Sequence, residues 1–435
     1  FSYLTRFVQF RMFFEACRVL VEKKDKYNKH HLTPFQALMI STASRVGIGN
    51  IAGISAAIVA GGPGALFWMC LMAFLGSASA FIESTLAQIY KTKDVFGFKG
   101  GPAYYIKNGL GIKWLGSLFA IILIITYAYG FNGLQSYTMT SAFEIYYDKA
   151  GSNITFAQSG LPIGIGLILT AFTAVMFFSK SHIIGKVSSY IVPFMALTYL
   201  LLAIIAIVLN FKEIPAVIKM IIESAFDFKA IFGGFAGSVI VIGIKRGLFS
   251  NEAGMGSTPH AHAAANVKHP VDPAVLGIMS VFIDTFVILN ITVFVVLTAN
   301  VISFENGKAV FTGITLVQEA FSSHIFGKTG GYSFVAICLF FFAFTTIIGW
   351  YYFAEINVRY LFGAKAVKIF KILVVVFVFL GSLQKVDFVW SLADMFNGLM
   401  VVPNLIAIIL LSPVVARLLK DHDAGKEYDV KEYLK

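Results

Sequence analysis

The stretch Ser41-Thr-Ala-Ser-Arg-Val-Gly-Ile-Gly-Asn50-Ile-Ala-Gly53 decides the architecture of this 435-residue chain. It lies inside an apolar segment long enough to cross a bilayer, which takes about 20 residues. Its three glycines weaken a continuous helix, since glycine costs about 1 kcal/mol relative to alanine. Irregular backbone at membrane depth persists only where it is buried in protein or lines a wet cavity. The sequence therefore predicts a membrane helix that is broken near Gly47.

A second apolar segment carries the same kind of interruption. It reads Gly243-Ile-Lys-Arg-Gly-Leu-Phe-Ser-Asn251-Glu-Ala-Gly-Met-Gly256, with glycines and charges again at its centre. Either segment alone is also compatible with a close-packing face for a neighbouring helix. Two interrupted segments at corresponding positions in two halves of a chain instead indicate a binding site between inverted repeats. At such breaks, helix N-termini offer N–H groups to a carboxylate and opposite ends offer carbonyls to a cation.

Composition and charge distribution indicate a membrane protein. The chain is 58% hydrophobic and only 13% charged, whereas soluble proteins carry about 25% charged residues. The lysines and arginines behind the net charge of +11 lie in short loops between apolar runs. That distribution is typical of loops that orient membrane helices, and it argues against a nucleic-acid partner. We therefore expect membrane lipid, and no nucleic acid, around the protein.

Ten apolar segments, named spans 1 to 10, predict an all-α polytopic fold with two sets of five helices. The bias of Lys and Arg toward alternate loops places the N-terminal segment and the C-terminus in the cytoplasm. The predicted organisation is an N-terminal segment 1–33, a first repeat 34–210, a second repeat 231–418 and a tail 419–435. The predicted spans are 34–60, 64–90, 114–141, 161–178, 187–210, 231–265, 273–302, 331–358, 366–383 and 388–418.

Four motifs resemble those of the alanine or glycine:cation symporter family. The resemblance covers nearly the whole chain and implies a leucine-transporter-like fold of five plus five inverted spans. It implies sodium-coupled symport of alanine or glycine across the cytoplasmic membrane of a bacterium or archaeon, without an enzyme activity or a bound cofactor. Family members generally carry one more N-terminal helix, and this chain is expected to begin near the end of it. The motifs are Ser44-Arg-Val-Gly-Ile-Gly-Asn50-Ile-Ala-Gly, Gly61-Gly-Pro-Gly-Ala, Lys99-Gly-Gly-Pro-Ala-Tyr-Tyr105 and Gly247-Leu-Phe-Ser-Asn-Glu-Ala-Gly-Met-Gly256.

The resemblance also implies a set of substrate-binding residues. The broken part of span 1 should receive the substrate carboxylate, and residues from spans 3, 6 and 8 should face or enclose a small side chain. From the residues alone, Trp350 is equally compatible with packing at the membrane interface. The implied substrate residues are Gly47, Gly49, Asn50, Gln135, Phe249, Asn251 and Trp350.

For co-transported sodium, the resemblance implies carbonyls of Ala43 and Val46 on span 1 and hydroxyls of Thr345 and Thr346 on span 8. This choice agrees with the chemistry of the ion, since a hard cation prefers oxygen ligands. A membrane threonine can instead bond back to its own helix. A sodium ligand should face the carbonyls of span 1, whereas a hydroxyl that bonds back should contact a carbonyl one turn earlier in span 8.

Ionisable residues inside predicted spans are candidates for gates, fixed ion pairs or proton coupling. We expect Arg45 or Arg246 to pair with Glu83, Glu252 or Glu355. Proton coupling through Glu83, Glu252 or Asp284 would instead make the chain a proton-coupled carrier of another small amino acid or amine. No nucleophile and base stand out together in the sequence, so catalysis is not predicted.

Overall fold

The computed structural model describes residues 1–21, 32–94, 97–147, 155–179, 181–227 and 238–434. Part of the predicted N-terminal segment, residues 22–31, lies outside the described residues. So does the predicted start of span 6 and of the second repeat, residues 231–237.

Among the described residues, six helices are long and apolar enough to cross a membrane, and they correspond to spans 2, 3, 5, 7, 8 and 10. Spans 4 and 9 are the 17-residue helices Leu161–Phe177 and Ala366–Ser382. The predicted start of span 5 was too late, because its helix begins at Ser181. The six long helices are Ala65–Ile89, Lys113–Tyr147, Ser181–Leu209, Val271–Thr298, Gly327–Phe362 and Val386–Asp423.

Span 1 consists of two helices with a short irregular link. Its first helix, Pro34–Arg45, begins with a capping box, because the Thr33 hydroxyl accepts the Gln36 N–H while the Gln36 side chain accepts the Thr33 N–H. The link contains the 3₁₀ turn Ile48–Asn50, and the second helix is Ala52–Gly61. The predicted break therefore lies at the glycines.

Span 6 is divided in the same way. Its first described helix, Val239–Asn251, starts after Ser238, whose hydroxyl accepts the N–H of Val241. Irregular backbone follows until the short helix Pro259–Ala264. Both predicted interruptions are thus breaks in the helical backbone rather than packing faces on continuous helices.

Two other spans carry π-helical segments, which widen the helix locally and are frequent at functional sites. Span 3 contains Thr126–Gly130 between Lys113–Ile125 and Phe131–Ser141, and span 7 contains Phe282–Leu289 between Val271–Val281 and Asn290–Thr298.

The remaining elements are the helices Val8–Arg11, Phe13–Val21, Pro102–Gly109, Glu144–Tyr147, Phe156–Gln158, Phe211–Glu213, Ile214–Ala225, Ile314–Phe321, Ser322–Phe326 and Val430–Glu432, and the hairpin strands Thr92–Asp94 with Gly97–Lys99 and Phe304–Glu305 with Lys308–Ala309.

The broken helices lie at the centre of the molecule. Every residue from Ala37 to Arg45 is buried, although this half of span 1 carries several polar side chains. Span 8 is also central, since 72% of its most apolar window is buried in protein, against 28% for span 5. Lipid-facing and protein-facing helices are thereby distinguished, and the polar residues of span 1 face protein.

Candidate functional site

The break in span 1 approaches spans 3 and 8 closely. A Cβ on Gly47 would lie 2.7 Å from Oγ1 of Thr346 and 2.8 Å from Nε2 of Gln135. Any larger residue would therefore displace one of these polar side chains. The Gly47 N–H donates to Oδ1 of Asn50 at 3.1 Å, which satisfies a backbone donor where regular helical pairing stops. Glycine at this position allows two predicted site residues to reach the backbone.

Span 6 reaches the same break from another side. A Cβ on Gly49 would lie 3.3 Å from Cα of Ser250 and 3.4 Å from the ring of Phe249. Asn50 Nδ2 donates to Oγ of Ser250 at 3.1 Å. The two interrupted helices thus meet at their interruptions, as the repeat argument predicts.

A buried carboxylate supports the irregular backbone of span 6. Glu252, Gly254 and Gly256 have positive φ angles of 52°, 86° and 80°, and a residue with a Cβ pays roughly 1–2 kcal/mol for this conformation. The Glu83 carboxylate accepts the N–H groups of Gly254 at 3.4 Å and Gly256 at 3.1 Å, and the Asn404 amide at 3.0 Å. Glu83 of span 2, itself held by Asn404 of span 10, therefore stabilises the non-helical backbone of this break.

Arg45 connects the breaks of spans 1 and 6 through neutral groups. Its Nε donates to the carbonyl oxygen of Asn251 at 2.5 Å, and Nη2 donates to Oγ1 of Thr258 at 2.9 Å. The side chain is almost fully buried, so these bonds replace its lost hydration. Its remaining described partners are Ser41, Gly277 and Ser280.

Aromatic side chains form a continuous wall beside the breaks. The Trp350 ring stacks on Tyr127, with centroids 5.5 Å apart and planes 6° apart. Phe131 lies between Trp350 and Phe249, at centroid distances of 5.1 and 5.0 Å. Trp350 also donates its indole N–H to Oε1 of Glu252 at 2.5 Å. Burial and this hydrogen bond fix the ring, so the wall resists expansion.

Two predicted substrate residues carry buried polar atoms without a hydrogen-bond partner among the described residues. These atoms are Oε1 of Gln135 and Nδ2 of Asn251. An unsatisfied buried group costs about 1–3 kcal/mol, and a polar ligand would relieve that cost. One atom is an acceptor and the other a donor, which suits a zwitterion.

The two threonines of span 8 differ in what their hydroxyls contact. Thr346 Oγ1 lies 2.8 Å from the carbonyl oxygen of Ala43 and 3.3 Å from that of Val46. Thr345 bonds back to Phe341 and Phe342 at 2.9 and 3.1 Å. Successive residues point about 100° apart on a helix, so only one of them faces span 1. The structure thus brings Ala43, Val46 and Thr346 together and leaves Thr345 on its own helix.

The ion pairs differ from those predicted. Arg246 pairs with Asp394 on span 10 at 3.1 Å, because its place on the first helix of span 6 faces span 10. Glu355 pairs with Arg359 at 2.5 Å, one helical turn away, and accepts the Tyr351 hydroxyl. Arg45, Glu83 and Glu252 have the neutral partners described above. The expected pairings of Arg45 or Arg246 with Glu83, Glu252 or Glu355 are therefore corrected.

Several residues at the site were not anticipated from the sequence. Asn404 is detectable as a polar residue inside an apolar helix, and Tyr127 and Phe131 have the i, i+4 spacing of one helical face. Ser250 and Ser257 gave no signal beyond their place near the second break. Ser257 donates to Oε2 of Glu252 at 2.6 Å, a contact across five residues that depends on the irregular backbone.

Comparisons with known proteins extend over the whole chain. A sodium/glutamine symporter assigned as probable, GlnT of Bacillus subtilis, is 42% identical over 98% of this chain and 86% of its own length. The sodium/alanine symporter AgcS of Methanococcus maripaludis is 37% identical over 94% of this chain and 88% of its own length. The crystal structure of MhsT in complex with L-phenylalanine matches with a TM-score of 0.62 at 13% identity, covering 90% of both chains.

The likeness to MhsT confirms the leucine-transporter-like fold that the family resemblance implied. The model of the sodium:alanine symporter family matches residues 1–435. Together with two relatives that are 42% and 40% identical over 86% and 85% of their own length, this match shows that the chain belongs to the sodium:alanine symporter family.

Proposed function

We propose that the protein is a sodium-coupled symporter of a small neutral amino acid, alanine or glycine, working by alternating access. The contact that carries this proposal is the one between Thr346 and the carbonyls of Ala43 and Val46. It gathers three neutral oxygens at the end of a broken helix, where the helix dipole favours a cation. The adjoining backbone at Gly47 and Gly49 carries no side chains, and its peptide groups are the ones proposed to receive the substrate carboxylate.

The aromatic wall supports a small substrate. Trp350, Phe249 and Phe131 are each at most 3% exposed, and their mutual contacts leave little freedom to retreat from a longer side chain. The unpaired atoms of Gln135 and Asn251 would contact the polar groups shared by all amino acids. Size selection by rings and recognition by amides together favour alanine or glycine.

The proposed orientation has both ends of the chain on the cytoplasmic side of a bacterial or archaeal inner membrane. Arg11 of the N-terminal helix pairs with Asp423 at the end of span 10, at 2.7 Å. An even number of crossings also returns the chain to its starting side. The excess of lysine and arginine in the same loops supports this side as the inner one.

Uptake into proteoliposomes tests the proposal. Radiolabelled alanine should accumulate when a sodium gradient is imposed, and a matched potassium gradient should give only background. Excess unlabelled glycine should compete, while glutamine, the cargo in the name of one relative, should compete poorly. Accumulation that ignores sodium and follows a proton gradient would overturn sodium coupling in favour of the proton-coupled alternative. Strong competition by glutamine would overturn the assignment of a small substrate.

A further inference from the structure

Tyr360, at the end of span 8 that the proposed orientation places in the cytoplasm, joins several elements. Its ring lies 5.1 Å from that of Tyr104, centroid to centroid, and the Lys107 ammonium lies 5.6 Å from the Tyr360 centroid. A Cβ on Gly116, in the first turn of span 3, would lie 3.2 Å from the Tyr360 hydroxyl. Lys107 and the start of span 3 therefore share one place on the surface with the end of span 8.

Exposed lysines surround this place without acidic partners. They come from the segment before span 3 and from the start of span 9, and they are Lys107, Lys113, Lys365 and Lys368. No aspartate or glutamate occurs in residues 95–143 or 356–386. The ion pairs of the described residues use other cations, which are Arg11, Arg18, Lys219, Arg246, Arg359 and Lys426. Within the part of the chain that the structure describes, these four positive charges are therefore uncompensated.

Other cations on the same face are balanced by carboxylates of the chain. Arg11 pairs with Asp423 at 2.7 Å. Arg359, which precedes Tyr360 in the sequence, pairs with Glu355 at 2.5 Å. The preference of lysine and arginine for the cytoplasm explains the side of the membrane on which the four lysines lie. It does not explain why unpaired lysines concentrate around one cluster of aromatic rings.

Two spans begin here with a positive charge. The first helix of span 3 starts at Lys113 and the helix of span 9 has Lys365 as its N-cap, and neither start has a hydrogen bond from a capping side chain. The N-terminus of a helix carries a partial positive charge, so a lysine there is unfavourable and an anion is favourable. An anion beside both helix starts would offset this repulsion between like charges.

The depth of Tyr360 matches that of lipid headgroups. It lies about 21 Å beyond Thr346 along the continuous helix Gly327–Phe362. Thr346 contacts the break of span 1, and such breaks lie near the midplane of the bilayer, whose hydrocarbon half is about 15 Å thick. Trp114 and Phe362 are 69% and 66% exposed, and exposed rings at this level are typical of the membrane interface. The lysines and the rings therefore lie where a headgroup meets its acyl chains.

We propose that this surface binds an anionic phospholipid of the cytoplasmic leaflet. The phosphate of the lipid contacts the four lysines, since a lysine ammonium binds phosphate as a point charge. Trp114 and Phe362 lie against the first part of the acyl chains. A soluble phosphate compound would use the charges but leave both rings exposed, so a lipid fits more of the surface. The proposal does not depend on which ion or amino acid the protein transports.

Equilibrium binding of radiolabelled phosphatidylglycerol to the purified chain in detergent micelles tests the site, with radiolabelled phosphatidylcholine measured in parallel. The wild type should bind phosphatidylglycerol saturably and at least about tenfold more tightly than phosphatidylcholine. A test variant should lose this preference; it combines Lys107→Gln, Lys113→Gln, Lys365→Gln and Lys368→Gln. A matched control variant removes the same charge from exposed lysines at the opposite ends of the spans and should keep the preference; it combines Lys212→Gln, Lys308→Gln, Lys328→Gln and Lys385→Gln.

Three results would overturn the proposal. The first is equal binding of the two lipids by the wild type. The second is an equal loss of preference in the test and control variants, because net charge alone would then account for the binding. The third is displacement of the labelled lipid by glycerol 3-phosphate at equal concentration, since that compound carries the phosphate without acyl chains and the surface would then be a site for soluble phosphate compounds.

Discussion

The Thr346 hydroxyl lies 2.8 Å from the carbonyl oxygen of Ala43, across the interface between spans 1 and 8. Its neighbour Thr345 makes no such crossing and bonds to its own helix at 2.9 Å. Two adjacent and chemically identical residues therefore form a natural matched pair. Comparing substitutions at Thr345 and Thr346 therefore separates the effect of the hydroxyl that faces span 1 from that of a threonine hydroxyl in general.

Thr346→Val, which replaces the hydroxyl by a methyl group of similar size, should reduce the apparent sodium affinity of alanine uptake at least tenfold, or about 1.4 kcal/mol. The reason is the loss of one oxygen beside two carbonyls. Thr345→Val should change it less than twofold. Sodium titration of initial uptake rates measures both. Equal effects of the two substitutions would remove Thr346 from the ion site.

Trp350→Ala should admit larger neutral amino acids and weaken alanine uptake, because it removes the ring that stacks on Tyr127. Trp-to-Ala changes in packed interiors cost about 3–5 kcal/mol of stability, so Trp350→Phe serves as the milder partner. The phenylalanine retains a ring but loses the N–H donated to Glu252. Competition by unlabelled 2-aminobutyrate and glutamine reads out selectivity. Selectivity and alanine affinity unchanged in both variants would exclude Trp350 from the pocket wall.

Gly47→Ala should disrupt transport through geometry. The new methyl would lie 2.7 Å from Oγ1 of Thr346, and Thr346 would have to give up its contact with span 1. We expect at least a tenfold loss of apparent sodium affinity. Gly398→Ala is the control, because that glycine lies on an exposed helix face with nothing within 4 Å of a new Cβ. Sodium titration of initial uptake rates measures both variants. An apparent sodium affinity of Gly47→Ala equal to that of Gly398→Ala would contradict the proposed close contact.

Acid should destabilise the connection between spans 6 and 7 through His269. Burial, with a smaller contribution from the charge of His422, lowers the pKa of His269 from 6.5 to about 4. Its Nδ1 accepts the Val271 N–H at 3.2 Å, as a neutral ring can. A lowered pKa means that the stabilisation is complete above about pH 6.5 and is lost as pH falls through about 4.

His269→Gln should therefore lose less thermal stability than the wild type between pH 7 and 5. Unfolding of the solubilised protein, followed by circular dichroism at both values, measures the difference. Since the His422 ring lies 4.6 Å from that of His269, His422→Gln is an informative second variant. An identical pH response in wild type and His269→Gln would contradict the assignment.

The helical segments and their breaks were predictable because they depend on local signals. Runs of apolar residues mark each span, and the glycines near Gly47 and Gly254 interrupt helix formation where they stand. The family resemblance similarly directed attention to Phe249 and Trp350, whose ring centroids lie 6.4 Å apart in the structure.

The partners of buried charges were harder to predict, because they depend on contacts between distant parts of the chain. Glu83 meets Asn404 across 321 residues, and Arg246 meets Asp394 across 148. The sequence shows the charge of Glu83 and Arg246 and their approximate depth in the membrane. It does not show how each helix is rotated about its own axis. The same rotation separates Thr345 from Thr346. A sequence pattern assigns such a residue to one face of its helix, but the packing of the helices determines which residue it contacts.

The ring of Phe249 is covered by Trp390, at a centroid distance of 5.6 Å, and Trp390 is covered in turn by the Arg246 guanidinium, 4.1 Å from its ring centroid. Asp394 anchors that guanidinium from span 10. In this arrangement Trp390 cannot leave Phe249 without also losing its contact with the Arg246 guanidinium. A change at Asp394 on span 10 would therefore be transmitted to Phe249 through Arg246 and Trp390, two side chains that lie between them.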